Sequence, residues 1–277
     1  MTAKRALLIG SQTSGLTGVH SDVEVMDDAL TGLGFTTTRC IEAAATYDGI
    51  VAAYRGLIED TSSGDAAVVY YSGHGGRMRN ALTDSEPGGP TWLQHLVPTD
   101  FHDRSGGRFR AVLAEELSLL QLELTGKTAN VTTILDCCHS ARMSRDTAVI
   151  PKAVATEASD HVEGFPWADV DKRWSEARGR AAEMAVADAN PLAVRLVACS
   201  PDESAYELAA SRLGGPHGAL TAVLVPLLTS AGVTARTWRD VVDAVRPAVM
   251  DMLPQQRPEL EGPLHRLVFS TDERSET

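Results

Sequence analysis

Short apolar, β-branched runs alternate along this chain with longer stretches whose apolar residues recur every three or four positions. Residues 4–9 (KRALLI), 35–40 (FTTTRC), 65–72 (DAAVVYYS), 131–135 (VTTIL) and 195–200 (RLVACS) are of the first kind and predict strands, with a last one at 264–269 (LHRLVF). Residues 21–33 are of the second kind: Val23, Met26, Leu30 and Leu33 share one helical face, acidic residues stand in the first turn, and Gly34 closes the helix. Residues 47–60, 111–124, 219–228 and 237–249 repeat that pattern, and 174–188 is helix-compatible. Strand and helix in this order predict a parallel sheet with right-handed crossovers, about six strands flanked by helices. No internal repeat interrupts it.

Two of the strands end in reactive groups. Residues 131–140 (VTTILDCCHS) run from an apolar strand straight into Asp136, Cys137, Cys138 and His139, and the strand at 65–72 runs into Gly73, His74, Gly75 and Gly76. The carboxyl edge of a parallel sheet is where such folds keep their chemistry. A thiol and an imidazole at neighbouring strand ends are the parts of a cysteine nucleophile and its base. Alternation puts Cys137 and Cys138 on opposite faces of their strand, and Asp136 on the same face as Cys138. An irregular stretch follows His74 at 77–107, and 141–191 reads as an exposed linker. That linker carries Arg142, Arg145, Lys152, Lys172, Arg173, Arg178 and Arg180.

The pair YYSGHGG (70–76) and DCCHS (136–140) resembles the His and Cys motifs of the caspase-like cysteine peptidases of the C14 type, nearest to the bacterial metacaspase and orthocaspase branch. HLVPTD at 95–100, CSPDESAYE at 199–207 and GGPHGALT at 214–221 extend the likeness over most of the chain. The resemblance implies an α/β, caspase-hemoglobinase-like three-layer sandwich in one domain. Residues 1–145 would be the large-subunit-like part, 141–191 the linker and region of self-cleavage, and 192–277 the small-subunit-like part. Ala141 stands where relatives commonly carry Gly after the HS pair.

The resemblance assigns roles residue by residue. Cys138 is the expected nucleophile and His74 the acid and base, with the N–H groups of Gly75 and Cys138 as the oxyanion hole. Ser72, Asp136 and Asp202 are the expected substrate-binding residues, and carboxylates there would favour Arg or Lys before the scissile bond. Cys137 reads as core and His139 as structural.

No C-x-x-C or H-x-x-x-H pair is present, so no zinc or other metal site is expected. Calcium enters through the resemblance as an activator, with Asp84, Glu86, Asp100 and Asp103 as its candidate ligands, although they lack EF-hand spacing. A formal charge of −12 without basic clusters argues against nucleic acid or an anionic membrane as partner and suits a basic peptide. The chain has four cysteines, two of them adjacent, and near its start only about five consecutive apolar residues, which together suggest a reduced, cytoplasmic protein. The expected activity is a cysteine endopeptidase cutting after Arg or Lys through a Cys138 thioester. The alternatives are a caspase-fold adaptor without activity, or a peptidase with another specificity that a regulatory partner activates.

Overall fold

The apolar runs at 4–9 and 65–72 become neighbouring strands at the centre of the molecule. The structure, a computed structural model, describes residues 2–80, 90–138, 149–154, 165–184, 190, 192–200 and 202–271. In chain order its elements are β1 (Lys4–Ser11), α1 (Val19–Gly32), β2 (Thr36–Ile41), α2 (Tyr47–Asp60), β3 (Ala66–Gly73), β4 (Gly75–Arg79), β5 (Trp92–Leu96), β6 (Val112–Leu113), α3 (Ala114–Thr125) and β7 (Asn130–Asp136). They continue with β8 (Val149–Pro151), α4 (Trp167–Glu183), β9 (Ala193–Val197), β10 (Tyr206–Leu208), β11 (His217–Gly218), α5 (Ala219–Leu228), α6 (Trp238–Met252) and β12 (Glu259–Glu261).

The main sheet has six strands in the order β12-β9-β7-β3-β1-β2, all parallel except for β12, which runs antiparallel to β9. Strict alternation along the central strands feeds two separate core layers. Leu8, Tyr70 and Ile134 face α1, α5 and α6, meeting Met26, Leu30, Leu224 and Val245. Leu7, Tyr71 and Leu135 face the other way, meeting Ile50, Tyr54 and Leu124 of α2 and α3. Strands buried on both faces need no polar face, which is why these runs are apolar throughout. Cys138 sits in the first layer and Cys137 in the second, the split that alternation predicts.

Two expectations change. The last strand of the sheet is β12, not residues 264–269. Leu267 makes only an isolated bridge to Thr237, while Val268 and Phe269 are buried in the first layer. Phe269 packs edge-on against Phe35 and Trp238, so the apolar run fills a corner of the core instead of extending a ladder. Nor is the 141–191 stretch simply exposed. Helix α4 begins at Trp167, buries Val170, Trp174 and Ala177, and seats Arg173 between Glu116 and Asp169. It covers a small three-stranded sheet, β4-β5-β6, through Met78, Leu93, Phe101 and Phe109. A second small sheet, β11-β10-β8, lies over the carboxyl edge of the main one. Among the described residues no helix is long and apolar enough to cross a membrane.

Candidate active site

The pairing of β3 with β7 sets the geometry. Ser72 pairs with Asp136, and each chain runs two residues further, to His74 and to Cys138. Both residues are buried, His74 at 2 % exposure and Cys138 at 0 %. The carbonyl of His74 accepts hydrogen bonds from the Tyr71 hydroxyl (2.7 Å) and the Val97 N–H (3.0 Å), which fixes the backbone there. Its ring Nε2 faces the Ser14 carbonyl at 3.3 Å. A carbonyl only accepts, so the Nε2 proton donates to it, and Nδ1 is left as the basic nitrogen of the neutral ring. Nδ1 is buried with no hydrogen-bond partner among the described residues. Burial pushes the imidazole pKa down to about 4; the Ser14 carbonyl works against that shift, and the Lys152 charge adds to it.

Around Cys138, the thiol faces the Ala205 carbonyl at 3.7 Å. All four cysteines are free and buried. Burial holds the Cys137 thiol well above its ordinary range, while for Cys199 a hydrogen bond with Cys138 is the largest cause of a rise in the same direction.

The space beside these residues is filled by the chain itself. Lys152, which follows β8, is fully buried, and its ammonium lies 2.8 Å from Ser72 Oγ and 3.2 Å from both Asp22 Oδ2 and Asp136 Oδ1. Burying three charges is costly unless each is paired and hydrogen-bonded. Here further hydrogen bonds hold the carboxylates: Gly218 N–H donates to both Asp22 oxygens, Ser72 donates to Asp22, and Thr221 donates to Asp136 Oδ2 from backbone and hydroxyl, while Asp136 Oδ1 meets the Lys152 charge. Gly218 is required where it stands, since a Cβ there would lie 2.1 Å from Asp136 Oδ2 and 2.6 Å from Lys152 Nζ. Burial works against the Lys152 charge, but the two carboxylates outweigh it and raise its pKa. Asp22 is pushed up to about 7, first by burial and then by Asp136, with Lys152 pulling the other way.

The backbone of the same segment is held as tightly. The Lys152 carbonyl accepts from Gly75 N–H (3.0 Å) and Cys138 N–H (3.3 Å), and the Lys152 N–H donates to the Ala205 carbonyl (2.8 Å). On one side β8 pairs antiparallel with β10; on the other, Val154 N–H donates to the Gly75 carbonyl. An extended segment thus crosses the sheet edge with one side chain in an acidic pocket and that residue's carbonyl on two convergent N–H donors.

Of the residues singled out from sequence, Ser72, His74, Gly75, Asp136 and Cys138 come together here. Asp202 does not: its side chain is 87 % exposed, 3.4 Å from Arg77 on the outer surface. A loop acid next to a strand end has no fixed direction until the loop is folded, and this one turns outward. Asp100 and Asp103 are both engaged with Arg110, and Asp100 also accepts from Tyr47 N–H, so their oxygens are committed to the protein. Asp84, Glu86, His139, Ala141, Arg142 and Arg145 lie outside the described residues. Among the described residues no three His, Cys, Asp or Glu side chains gather as metal ligands would.

Sequence reasoning missed Asp22 and the placement of Lys152. Asp22 carries a signal in hindsight, because it interrupts the apolar stripe Val19, Val23, Met26 and Leu30 on the buried face of α1. An unpaired acid in such a stripe needs a cation. The Lys152 signal is a single basic residue within an otherwise apolar run, VIPKAV.

A family model described as Caspase domain (Peptidase_C14) matches residues 3–269. The chain belongs to the caspase domain family. Similar curated proteins include metacaspase III c of Phaeodactylum tricornutum, 27% identical over 150 residues that make up 50% of this chain and 42% of that protein. Metacaspase-5 of Trypanosoma cruzi is 29% identical over 154 residues, 50% of this chain and 33% of that one, and metacaspase-8 of Arabidopsis thaliana is 32% identical over 160 residues, 52% and 39% respectively. The caspase domain described here therefore matches less than half the length of each of these relatives. Among solved structures, protein GSU0716 from Geobacter sulfurreducens superposes with a TM-score of 0.65 at 17% identity, covering 97% of this chain and 98% of that one. This places the fold of the caspase domain among known structures.

Proposed function

We propose that this caspase domain is a cysteine endopeptidase that cuts after a basic residue, and that the Lys152–Ala153 bond in its own 141–191 region is the first it meets. One observation carries the reading: Lys152 lies with its ammonium among Asp22, Ser72 and Asp136 and its carbonyl on Gly75 N–H and Cys138 N–H. That is the pose in which a substrate carbonyl is attacked.

In this mechanism the Cys138 sulfur forms a bond to the Lys152 carbonyl carbon while its proton passes to Nδ1 of His74. Charge gathers on the Lys152 oxygen, where the Gly75 and Cys138 N–H groups already point. His74 then gives the proton to the Ala153 nitrogen, the carbon–nitrogen bond breaks, and a thioester between Cys138 and Lys152 remains. Water, deprotonated by the same imidazole, hydrolyses the thioester and returns the thiol. An aspartate in the pocket would add a third carboxylate to Asp22 and Asp136, so the pocket selects against it. Until the segment moves, no peptide in trans can enter, which leaves room for a regulatory partner.

The test pairs two fluorogenic peptides, one ending in Arg and one in Asp, with intact-mass analysis of wild-type and Cys138→Ala protein. The expected result is a cut between Lys152 and Ala153 and turnover of the Arg peptide, both absent in the variant. Turnover of the Asp peptide overturns the basic specificity. A wild-type protein that stays intact and cuts neither peptide points instead to a caspase-fold adaptor.

A further inference from the structure

We propose that Glu207 is a positioning residue for the peptidase reaction: from the middle strand of the small β11-β10-β8 sheet it holds the turn whose Ser14 carbonyl orients His74. This inference rests on the reading of His74 as acid and base given above. Glu207 is fully buried, and its carboxylate accepts three hydrogen bonds from the loop between β1 and α1. Thr17 donates to Oε1 from its N–H (2.9 Å) and its hydroxyl (3.0 Å), and Gly18 N–H donates to Oε2 (2.9 Å). Taking a carboxylate out of water is unfavourable, so an apolar side chain would serve packing alone at lower free energy. What the carboxylate adds is a grip on this loop.

The loop needs such a grip. Leu16 N–H donates to the Thr13 carbonyl (3.1 Å), closing a turn whose central residues, Ser14 (φ 49°) and Gly15 (φ 90°), are both left-handed. Gly15 adopts that conformation freely, whereas Ser14 does so only where its surroundings impose it. Both are exposed, so no packing presses on the turn from outside. Before the turn, Ser11 Oγ donates to the Val97 carbonyl (2.6 Å); after it, the clamp is Glu207. The Ser14 carbonyl between these anchors lies 3.3 Å from His74 Nε2, and a displacement of about an ångström removes the acceptor that fixes the ring's tautomer and direction. The backbone of Glu207 also faces the site. It stands opposite Ile150 of the segment proposed to be cut and opposite Gly218, whose N–H holds Asp22. One residue thus ties the strand that receives the substrate to the base that acts on it.

The experiment measures kcat and KM on the Arg peptide for Glu207→Gln, Ser14→Pro and the double variant, and reads the His74 tautomer by nitrogen NMR in the Cys138→Ala background. Glutamine keeps the size of glutamate but turns an NH2 donor toward Thr17 or Gly18, and proline cannot take the left-handed conformation of Ser14. Each single variant is expected to lower kcat at least about tenfold, part of the roughly 10²–10⁴-fold that a positioned acid and base contributes, with KM held within about twofold. The double variant is expected to lose no more than the worse single one, because both act through one contact. In the Cys138→Ala chain the Nε2-protonated ring is expected to give way to mixed tautomers with either substitution. Unchanged kcat in Glu207→Gln, or losses that multiply in the double variant, would mean that Glu207 serves the fold alone and would overturn the proposal. Ser14 lies on the surface, so Ser14→Pro tests the turn even where Glu207→Gln fails to fold, and its full activity overturns the proposal as well. If the wild-type chain cuts neither itself nor a peptide, the peptidase reading falls by itself and the tautomer decides this inference: a spectrum unmoved by the substitutions overturns it, and a shifted one upholds the link from Glu207 to His74.

Discussion

Lys152 Nζ and Asp136 Oδ1 stand 3.2 Å apart with neither side chain exposed to solvent. Asp22 completes the group from the opposite wall at the same distance. Two carboxylates that face one cation are tolerable in the core only while the cation is there, so segment 149–154 and the pocket stabilise each other.

Removal of that cation gives the first prediction. Lys152→Ala leaves Asp22 and Asp136 without a counter-charge, a loss of about 3–5 kcal/mol if the strand stays in place. The strand is therefore expected to leave and water to enter, which limits the loss. The expected outcomes are a lower thermal midpoint, ready attack on the segment by an added protease, and no cut before Ala153. Lys152→Arg keeps the charge and is expected to be cut at the same bond. Differential scanning fluorimetry and intact mass read all of these; a cut in the Ala variant at the wild-type rate would remove the pocket from the argument.

The second prediction separates two acids that look alike in sequence. Asp136→Asn is expected to lower turnover of a basic peptide by about a hundredfold, the equivalent of about 3 kcal/mol, since on the proposed reading it removes one of the two buried charges that hold the Lys152 ammonium here. Asp202→Ala is expected to leave turnover within about twofold, because an exposed pair with Arg77 contributes little. Steady-state kinetics on one Arg peptide decides both.

These two acids also show which parts of the site are legible in the sequence. Asp136 is legible because strand alternation fixes its face relative to Cys138, and the sheet itself is legible because its strands are apolar on both sides. Asp202 belongs to a loop, where no periodicity assigns a direction. Lys152 escaped for a different reason. A basic residue in a stretch without pattern reads as solvated, and only the long-range pairing of β8 with β10 and Gly75 carries it into the core. The sixth strand was misplaced by the same logic: 264–269 has the composition of a strand, but its apolar side chains are drawn to the Phe35 and Trp238 corner.

The third prediction concerns acid. Burial holds His74 neutral down to about pH 4, whereas an unfolded histidine takes its proton near 6.5. Between those values the unfolded chain binds one more proton at His74, so this group removes stability as the pH falls. Asp22 has the opposite sign: its folded pKa of about 7 exceeds the unfolded 3.8, so the folded chain binds the extra proton over the same window and loses that stability as the pH rises. The two slopes cancel. Asp22→Asn in a Cys138→Ala background is expected to tilt the balance, so that stability falls with acid between pH 6.5 and 4.5 by about 1.4 kcal/mol per unit more than in Cys138→Ala alone. Urea midpoints at three pH values measure the difference, and parallel curves would mean that Asp22 is ionised throughout.

Gly218 supplies the fourth prediction, through space alone. It closes the pocket between β11 and α5, and its N–H is spent on the Asp22 carboxylate. A methyl group there meets Asp136 Oδ2 at 2.1 Å and Lys152 Nζ at 2.6 Å, and neither neighbour is the free end of a mobile surface chain. Gly218→Ala is therefore expected to expel the lysine, abolish the cut before Ala153 and destabilise the fold by about 1–3 kcal/mol. The control is Gly179→Ala on α4, where nothing lies within 4 Å of the new carbon and the helix gains about 0.5–1 kcal/mol. Intact mass and thermal unfolding of the two variants separate a pocket that needs its glycine from one that merely contains it. Equal behaviour of the two would show that the acidic pocket has room to spare, and that Lys152 is held there by charge without help from shape.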